Sequence, residues 1–157
     1  MATPPRPVFV YGTLQALPLL AWAITGETKI DTITGMIQRG TVRGYRRYSL
    51  HNRDYPAAIK DDNSFIDGYL VSFQTASQRR KIDDFEGECY KAAPVTVSVE
   101  NDGEPRGESV EADLYVWDGN MDAISSEPWD LEEFIRTRLD DWIDLFVGME
   151  LVGDDDL

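Results

Sequence analysis

The sequence predicts an α+β fold in which a small, strongly curved sheet or barrel carries helices on its outside. Strand-like segments outnumber helical ones, and several glycines fall inside the strand patterns, as in sheets that bend sharply. The 157 residues, 42% of them hydrophobic, suit one domain with one core. We therefore expect an extended lead-in at residues 1–7, a single domain at residues 8–150 and an acidic tail at residues 151–157.

The first half of the chain predicts strands around one short helix. The β-branched and aromatic run from Val8 to Tyr11 predicts a buried strand that stops at Gly12. An apolar segment from Leu17 to Ile24 predicts a short helix ended by Gly26. The loose alternation from Ile30 to Tyr48 predicts bent strands, since it contains glycines at positions 35, 40 and 44.

Three further segments complete this half. Tyr55 to Lys60 reads as extended, and Asp61 to Asn63 reads as a turn. Gly68 to Phe73 then predicts a strand.

The second half begins with a change of period. Ser77 to Phe85 predicts a helix that is capped by Thr75 or Ser77 and closed near Gly87. Val95–Val99 and Val110–Trp117 predict a β-hairpin with its turn at Asn101-Asp102-Gly103. Apolar residues at helical spacing from Leu131 to Phe146 predict one long amphipathic helix, begun by Pro128-Trp129-Asp130.

Charge and composition exclude several function classes. With 15 basic and 29 acidic residues, the formal charge of −14 disfavours nucleic acid and anionic membrane surfaces as partners. The chain has no run of 18 apolar residues and no apolar stretch typical of a secretory signal, so we expect a cytoplasmic protein. One cysteine and one histidine make a His/Cys metal site improbable.

Two short stretches carry the candidate chemistry. Tyr11-Gly12-Thr13-Leu14 follows a strand directly, and a glycine there can turn main-chain N–H groups outward to hold an anion; the alternative is an ordinary turn. Glu86 stands at a predicted helix end beside Phe85. The helix dipole and partial burial would both raise its pKa towards that of a general base, whereas the alternative is a solvated surface carboxylate.

Other titratable residues have simpler interpretations. Cys89 with His51 is a conceivable nucleophile pair, but cysteine is usually a buried apolar residue. Two acidic pairs fit the solvated face of the last helix: Glu132, Glu133, Asp140 and Asp141. Tyr90 and Tyr115 fit strand positions that pack their rings, with the hydroxyl near the surface.

Taken in order, the motifs Val8–Leu14, Tyr55–Ile59, Gly68–Val71, Ile82–Tyr90 and Ala112–Trp117 resemble the gamma-glutamylcyclotransferase-like superfamily, AIG2-like branch. The resemblance implies a small mixed β-barrel flanked by helices, with a cavity at one end. It implies Glu86 as general acid/base and Tyr11, Gly12, Thr13, Leu14, Tyr90 and Tyr115 as substrate-binding residues, with no cofactor and no metal. Ile82-Asp83 departs mildly from the family's frequent Leu-Asp.

The implied reaction is the release of 5-oxoproline from a small γ-glutamyl compound. The substrate's own α-amine attacks its δ-carbonyl, so the enzyme needs one proton carrier and an anion-holding loop but no serine, cysteine or metal. Arg53 is a candidate cation at the rim of the pocket. Two alternatives stay open, namely a non-catalytic binding module on the same fold and an enzyme acting on γ-glutamyl groups of a larger metabolite.

Overall fold

The computed structural model describes residues 5–51, 53, 55–86, 90–101, 104–125, 127 and 129–147, with side chains except at 84–86, 100–101, 104–107 and 145–147. The strands are Val8–Val10 (β1), Ile37–Ser49 (β2), Pro56–Val71 (β3), Tyr90–Asn101 (β4) and Glu104–Trp117 (β5). The helices are Leu17–Thr25 (α1), Ala76–Glu86 (α2), Leu131–Thr137 (α3) and Leu139–Val147 (α4). Single 3₁₀ turns lie at Thr13–Gln15, Ile30–Thr32, Thr34–Met36 and Met121–Ala123.

These strands close into a barrel in the order β1-β3-β2-β4-β5. β5 returns to pair with β1 in parallel, and the other neighbouring strands are antiparallel. The predicted mixed barrel flanked by helices is therefore confirmed.

Alternation along the strands divides the apolar side chains into two cores. The barrel interior holds Phe9, Val42, Leu70, Val97 and Leu114. What we call the outer core lies between the barrel and the helices, and includes Val8, Val10, Leu14, Ile82, Tyr115 and Phe134.

Two paired glycines make room for the barrel interior. Gly40 and Gly68 face each other across β2 and β3. A Cβ on Gly40 would lie 2.6 Å from Val97 Cγ1, and one on Gly68 would lie 3.0 Å from the Phe9 ring. The glycines inside the strand patterns thus mark close packing in a narrow barrel.

The β2–β3 hairpin bends sharply at Gly44, whose φ is +90°. The register shifts here, because Arg43 pairs with Phe65 whereas Tyr45 pairs with Lys60, so residues 61–64 bulge opposite one glycine. The predicted turn at Asp61–Asn63 is therefore a bulge within one continuous strand, and the prediction that the chain turns out of its strand there is wrong. The Asp61 carboxylate accepts hydrogen bonds from the Asn63 N–H (3.0 Å) and the Ser64 hydroxyl (2.9 Å).

The ends of α1 and α2 follow their sequence signals. Gly26 closes α1 in the left-handed region, with φ of +83°, as predicted. Thr75 Oγ1 accepts the Gln78 N–H at 3.2 Å, and Gln78 Oε1 accepts the Gln74 and Thr75 N–H groups. This reciprocal cap confirms Thr75 as the start of α2, whereas the predicted closure at Gly87 lies outside the described residues.

The prediction that the strands begin at Ile30 is wrong for residues 30–36. They form two helical turns instead, and β2 begins only at Ile37. Thr32 Oγ1 donates to the Lys29 carbonyl at 2.7 Å, and Thr34 Oγ1 donates to the Asp31 carbonyl at 3.4 Å. Such local hydrogen bonds compete with a strand ladder.

The predicted long C-terminal helix is two helices, α3 and α4, separated at Arg138. Arg138 leaves helical geometry, with φ −126° and ψ −21°. At about 100° per residue, the apolar positions of one straight helix would spread over about half its circumference. The break lets both Phe134 and Leu139 be buried, at 4% and 7% exposure.

β4 and β5 form the predicted hairpin, with pairing that continues to Asn101 and Glu104. Asp102 and Gly103, the rest of the predicted turn, lie outside the described residues, as do Pro128 and the acidic tail. Within the described part of the chain, no helix is long and apolar enough to cross a membrane.

Candidate functional site

The loop after β1, residues 11–14, packs against the first residues of β3. A Cβ on Gly12 would lie 2.7 Å from Pro56 Cδ and 2.8 Å from its Cγ. Pro56 is itself buried at the start of β3. Only glycine allows this close approach, so packing alone explains the glycine of the Tyr-Gly-Thr-Leu motif, independently of any ligand.

The side chain of Tyr11 reinforces the same contact from inside the barrel. Its hydroxyl donates to the Tyr115 carbonyl at 2.5 Å and accepts the Ala58 N–H at 3.1 Å. Tyr11 is 6% exposed. Its hydroxyl therefore ties β5 to β3, and a substrate-binding role for Tyr11 would have to use its main chain.

Arg47 of β2 contacts the same loop. Its Nη1 donates to the Tyr11 carbonyl at 2.7 Å, and its guanidinium lies 5.7 Å from the centre of the Trp129 ring. Burial lowers the pKa of the Arg47 guanidinium, while nearby Asp67 and Tyr11 oppose the shift. An arginine so placed stays a cation at neutral pH.

Main-chain donors are gathered at the loop. Within the described residues, no acceptor takes the N–H groups of Gly12, Thr13 or Leu14, whereas the Gly12 and Thr13 carbonyls accept the N–H groups of residues 15 and 16. Thr13 and Leu14 are 5% and 1% exposed. Buried main-chain donors nearly always have a partner, so the Thr13 and Leu14 donors, with the half-buried Gly12 donor beside them and no acceptor among the described residues, suit an anionic group.

The other two predicted site tyrosines, Tyr90 and Tyr115, differ in the partners of their hydroxyls. Tyr90 Oη donates to the Pro56 carbonyl at 2.6 Å, which places it beside the same proline that contacts Gly12. Tyr115 is 6% exposed, and its buried hydroxyl has no hydrogen-bond partner among the described residues. A buried unsatisfied hydroxyl in a native fold calls for an explanation, and a bound ligand is one.

The structure brings most of the predicted site residues together. Leu14 and Tyr115 belong to the outer core, Tyr90 packs on it, and Ile82 of α2 belongs to it as well. We call residues 11–14 the loop side of the site and residues 79–86 the helix side.

Glu86 is the last residue of α2. In the sequence it follows Ile82 by four residues and Arg79 by seven. The side chain of Glu86 lies outside the described residues, as does Cys89.

A chain of aromatic rings runs from β5 to the C-terminal helices. Trp117 contacts Tyr90, Tyr90 contacts Tyr55, and Tyr55 contacts Trp142, with ring centres 5.5–6.3 Å apart. The exposed Arg53 stacks over Tyr55 at 6.0 Å. Arg53 also lines a cavity of about 320 Å³ beside α3, together with Trp129 and Glu133; none of the predicted site residues lines this cavity, so its place at the rim of a substrate pocket stays a prediction.

The remaining predictions have plain outcomes. The four acidic residues expected on a solvated helix face are all exposed: Glu132, Glu133, Asp140 and Asp141. His51 is exposed next to β2. Its conceivable partner in a nucleophile pair, Cys89, lies outside the described residues. In the part of the chain that the structure describes, no group of three or more histidines, cysteines and carboxylates is arranged to hold a metal ion.

Sequence reasoning missed the long-range polar contacts next to the loop side and along α2, which involve Arg47, Arg79 and Asp113. Arg79 and Asp113 form an ion pair at 2.9 Å, although they are 34 positions apart in the chain. Arg47 and Tyr11 are separated by 36 positions. The one local signal was the concentration of arginines in β2, at positions 39, 43, 46 and 47, in an otherwise acidic chain.

Known proteins share this sequence and fold. AIG2-like protein B of Arabidopsis thaliana is 26% identical over 139 residues, covering 88% of this chain and 74% of the relative. A protein of Arabidopsis thaliana with a known solution structure superposes with a TM-score of 0.62 at 23% identity, covering 93% of this chain and 84% of the other.

The known structure of a gamma-glutamyl cyclotransferase superposes on this chain with a TM-score of 0.55 at 10% identity, covering 71% of this chain and 66% of the other. At such identities the structural likeness shows a shared fold. The sequence model of the family described as gamma-glutamyl cyclotransferase, AIG2-like, matches residues 8–131, more than three quarters of the chain. The chain therefore belongs to the gamma-glutamyl cyclotransferase, AIG2-like family.

Proposed function

We propose that this protein is a γ-glutamyl cyclotransferase that releases 5-oxoproline and an amine or amino acid from a small γ-glutamyl compound. The substrate's α-amino nitrogen forms a bond to its δ-carbonyl carbon, and the bond from that carbon to the leaving nitrogen breaks. One proton leaves the attacking ammonium group, and one is delivered to the leaving nitrogen.

The observation that carries the proposal is the set of main-chain N–H groups at Gly12, Thr13 and Leu14, which have no acceptor among the described residues. A γ-glutamyl substrate has an α-carboxylate, and its tetrahedral intermediate has an oxyanion. Preorganised N–H groups in a site that excludes water stabilise such charge strongly. The buried Tyr115 hydroxyl, which lacks a partner among the described residues, is one more possible donor, on a side chain that shares the outer core with Leu14.

Glu86 is proposed as the proton carrier. A single carboxylate can take the proton from the ammonium and return it to the leaving nitrogen, because the two steps follow each other. Holding the substrate in its ring-closing conformation contributes the rest, with effective molarities up to about 10⁵–10⁸ M in favourable cases. The family membership of the chain supports both assignments.

The test is 5-oxoproline release from a panel of γ-glutamyl amino acids and γ-glutamyl amines, comparing wild type with Glu86→Gln. We expect turnover by the wild type and a kcat lowered by about 10²–10⁴-fold in the variant, since glutamine keeps the shape but carries no exchangeable acidic proton. Glu132→Gln is the matched control because Glu132 is an exposed glutamate on α3.

Wild-type turnover in the Glu86→Gln variant would refute the assignment of Glu86. Inertness of the wild type towards the whole panel would instead favour a non-catalytic binding module, which would use the same donors to hold an anion. Cys89→Ala should retain most of the activity if no cysteine nucleophile takes part.

A further inference from the structure

An ion-pair network fastens α2 to the barrel. Arg79 Nη1 contacts Asp113 Oδ2 at 2.9 Å and donates to the Arg6 carbonyl at 3.0 Å, while its Nε contacts Asp83 Oδ1 at 2.9 Å. The side chains of Arg79 and Asp113 are only 15% and 14% exposed. Charged side chains this well covered hold a defined geometry better than exposed pairs do.

The strand end of the network is equally well fixed. The other oxygen of Asp113 contacts Arg6 Nε at 3.0 Å, and the Asp113 N–H donates to the Pro7 carbonyl at 2.9 Å. Arg6 Nη2 donates to the Ala112 carbonyl at 2.9 Å. Both oxygens of one carboxylate are thus occupied, one by the lead-in and one by α2.

This anchor lies on the face of β5 that also carries Tyr115. Residues 113 and 115 point to the same side of the strand, because side chains alternate along it. The helix residue held by Asp113 and the proposed acid/base Glu86 are seven positions apart, which is about 10 Å along the axis. Ile82, fully buried between them, keeps the helix packed on the barrel.

We propose that Arg79 and Asp113 are positioning residues, whose ion pair sets the angle of α2 on the barrel and thereby the place of Glu86 relative to the loop side. This inference rests on the proposed function. Over a lever of about 10 Å, a tilt of about 6° displaces residue 86 by about 1 Å. A displacement of that size can lower a catalytic rate by about 10²-fold.

The network also provides its own control. Arg79→Met removes the link to α2 but leaves Asp113 paired with Arg6. Arg6→Ala removes the other link to Asp113 and keeps the Arg6 carbonyl that Arg79 contacts. Each variant removes one cation and one partner of the same carboxylate, yet only the first touches α2.

The experiment measures amide hydrogen exchange at residues 82–86 and steady-state kinetics with the most active panel substrate. For Arg79→Met we expect faster exchange at these residues and a kcat lowered by about 10- to 100-fold, with KM changed by less than about threefold. Arg6→Ala should show wild-type exchange at these residues and a kcat within about twofold of wild type. Arg79→Lys, which keeps the charge but lacks the fork of donors, should recover part of the loss.

A double-mutant cycle isolates the pair. Asp113→Asn should lower kcat in the wild-type background and have little further effect when Arg79 is already methionine. Unchanged exchange at residues 82–86 in Arg79→Met, or unchanged kcat in an active enzyme, would overturn the inference, as would equal losses in Arg79→Met and Arg6→Ala. If the wild type releases no 5-oxoproline, the proposed function fails, and the exchange comparison alone decides whether the pair holds the end of α2.

Discussion

The two sides of the site are held in place by different physical means. The loop side rests on close packing and buried hydrogen bonds: Gly12 lies against Pro56, the Tyr11 hydroxyl bonds to two strands, and the Arg47 guanidinium donates to the Tyr11 carbonyl. The helix side is linked to the barrel by the Arg79–Asp113 ion pair, which we propose orients α2. Van der Waals contact and buried hydrogen bonds are rigid and insensitive to salt, whereas an ion pair near the surface is partly screened.

The difference suggests a division of labour. A loop that presents main-chain donors to an anion must not move, because its contribution depends on preorganisation. A helix that carries the proposed proton carrier must hold a fixed orientation, and a directional ion pair can set its angle without filling the site. Substitutions on the two sides should therefore lower activity and stability in different ways.

Among substitutions of the residues that hold the loop side, the largest effect should come from Gly12→Ala, which disrupts the contact of the loop with Pro56. The new Cβ would lie 2.7 Å from Pro56 Cδ, so the loop or the hairpin must shift. We expect activity to fall by about 10²-fold and the free energy of unfolding to fall by about 1–3 kcal/mol. Kinetics and urea denaturation measure the two effects.

Gly35→Ala is the matched control, since a Cβ at Gly35 meets no atom within 4 Å. It should change the free energy of unfolding by no more than about 0.5 kcal/mol. Equal effects of the two alanines would show that the contact between Gly12 and Pro56 is not what fixes the loop.

Two tyrosine-to-phenylalanine substitutions should have effects of intermediate size. Tyr11→Phe leaves the Ala58 N–H and the Tyr115 carbonyl without their partner, and should lower the free energy of unfolding by about 1–3 kcal/mol. Tyr115→Phe removes a buried hydroxyl that has no partner among the described residues, so stability should stay the same or rise. Its activity should nevertheless fall, by about tenfold, if the hydroxyl contacts substrate.

Thermal unfolding of both variants, together with kcat/KM for Tyr115→Phe, checks these expectations. Loss of stability in Tyr115→Phe would mean that its hydroxyl has a structural partner. Full activity in that variant would remove Tyr115 from the substrate-binding residues.

The smallest effect concerns the bend that folds the hairpin over the loop side. Hydrogen bonds from the Asn63 N–H, and next from the Ser64 hydroxyl, hold the pKa of Asp61 below its ordinary value. A carboxyl whose pKa is lower in the folded state stabilises the fold above its unfolded pKa of about 3.9, and this stabilisation is lost as pH falls through the folded pKa. Asp61→Ala should therefore lower the melting temperature slightly at pH 7, and by less once the pH has fallen through the lowered pKa of the folded state.

Asp61→Asn keeps an acceptor for the Asn63 N–H and should be milder than alanine. A difference in melting temperature that stays constant from pH 7 to pH 2 would contradict an ionised Asp61 as the group that holds the bulge.

The sequence was informative where the signal is local. Gly26 and Thr75 mark helix ends because caps act within four residues. The Tyr-Gly-Thr-Leu loop and Glu86 were found as motifs, and the structure gathers the loop with Tyr90, Tyr115 and α2.

The supporting contacts were not predictable, because they join residues distant in the chain. No local pattern shows that Gly12 meets Pro56 or that Arg79 meets Asp113. The break at Arg138 was missed for a related reason, since it is set by what the two halves must bury in three dimensions. The bulge opposite Gly44 looked like a turn because Asp61 makes turn-like hydrogen bonds inside a strand.

The central claim is that the loop side and the helix side form one site. The most direct test is to titrate 5-oxoproline into labelled protein and follow the amide signals of Gly12, Thr13 and Leu14 together with the carboxyl carbon signal of Glu86. We predict that all of them shift and saturate with one dissociation constant. Shifts at Glu86 without shifts at the loop amides, or no saturable shift on either side, would contradict the account.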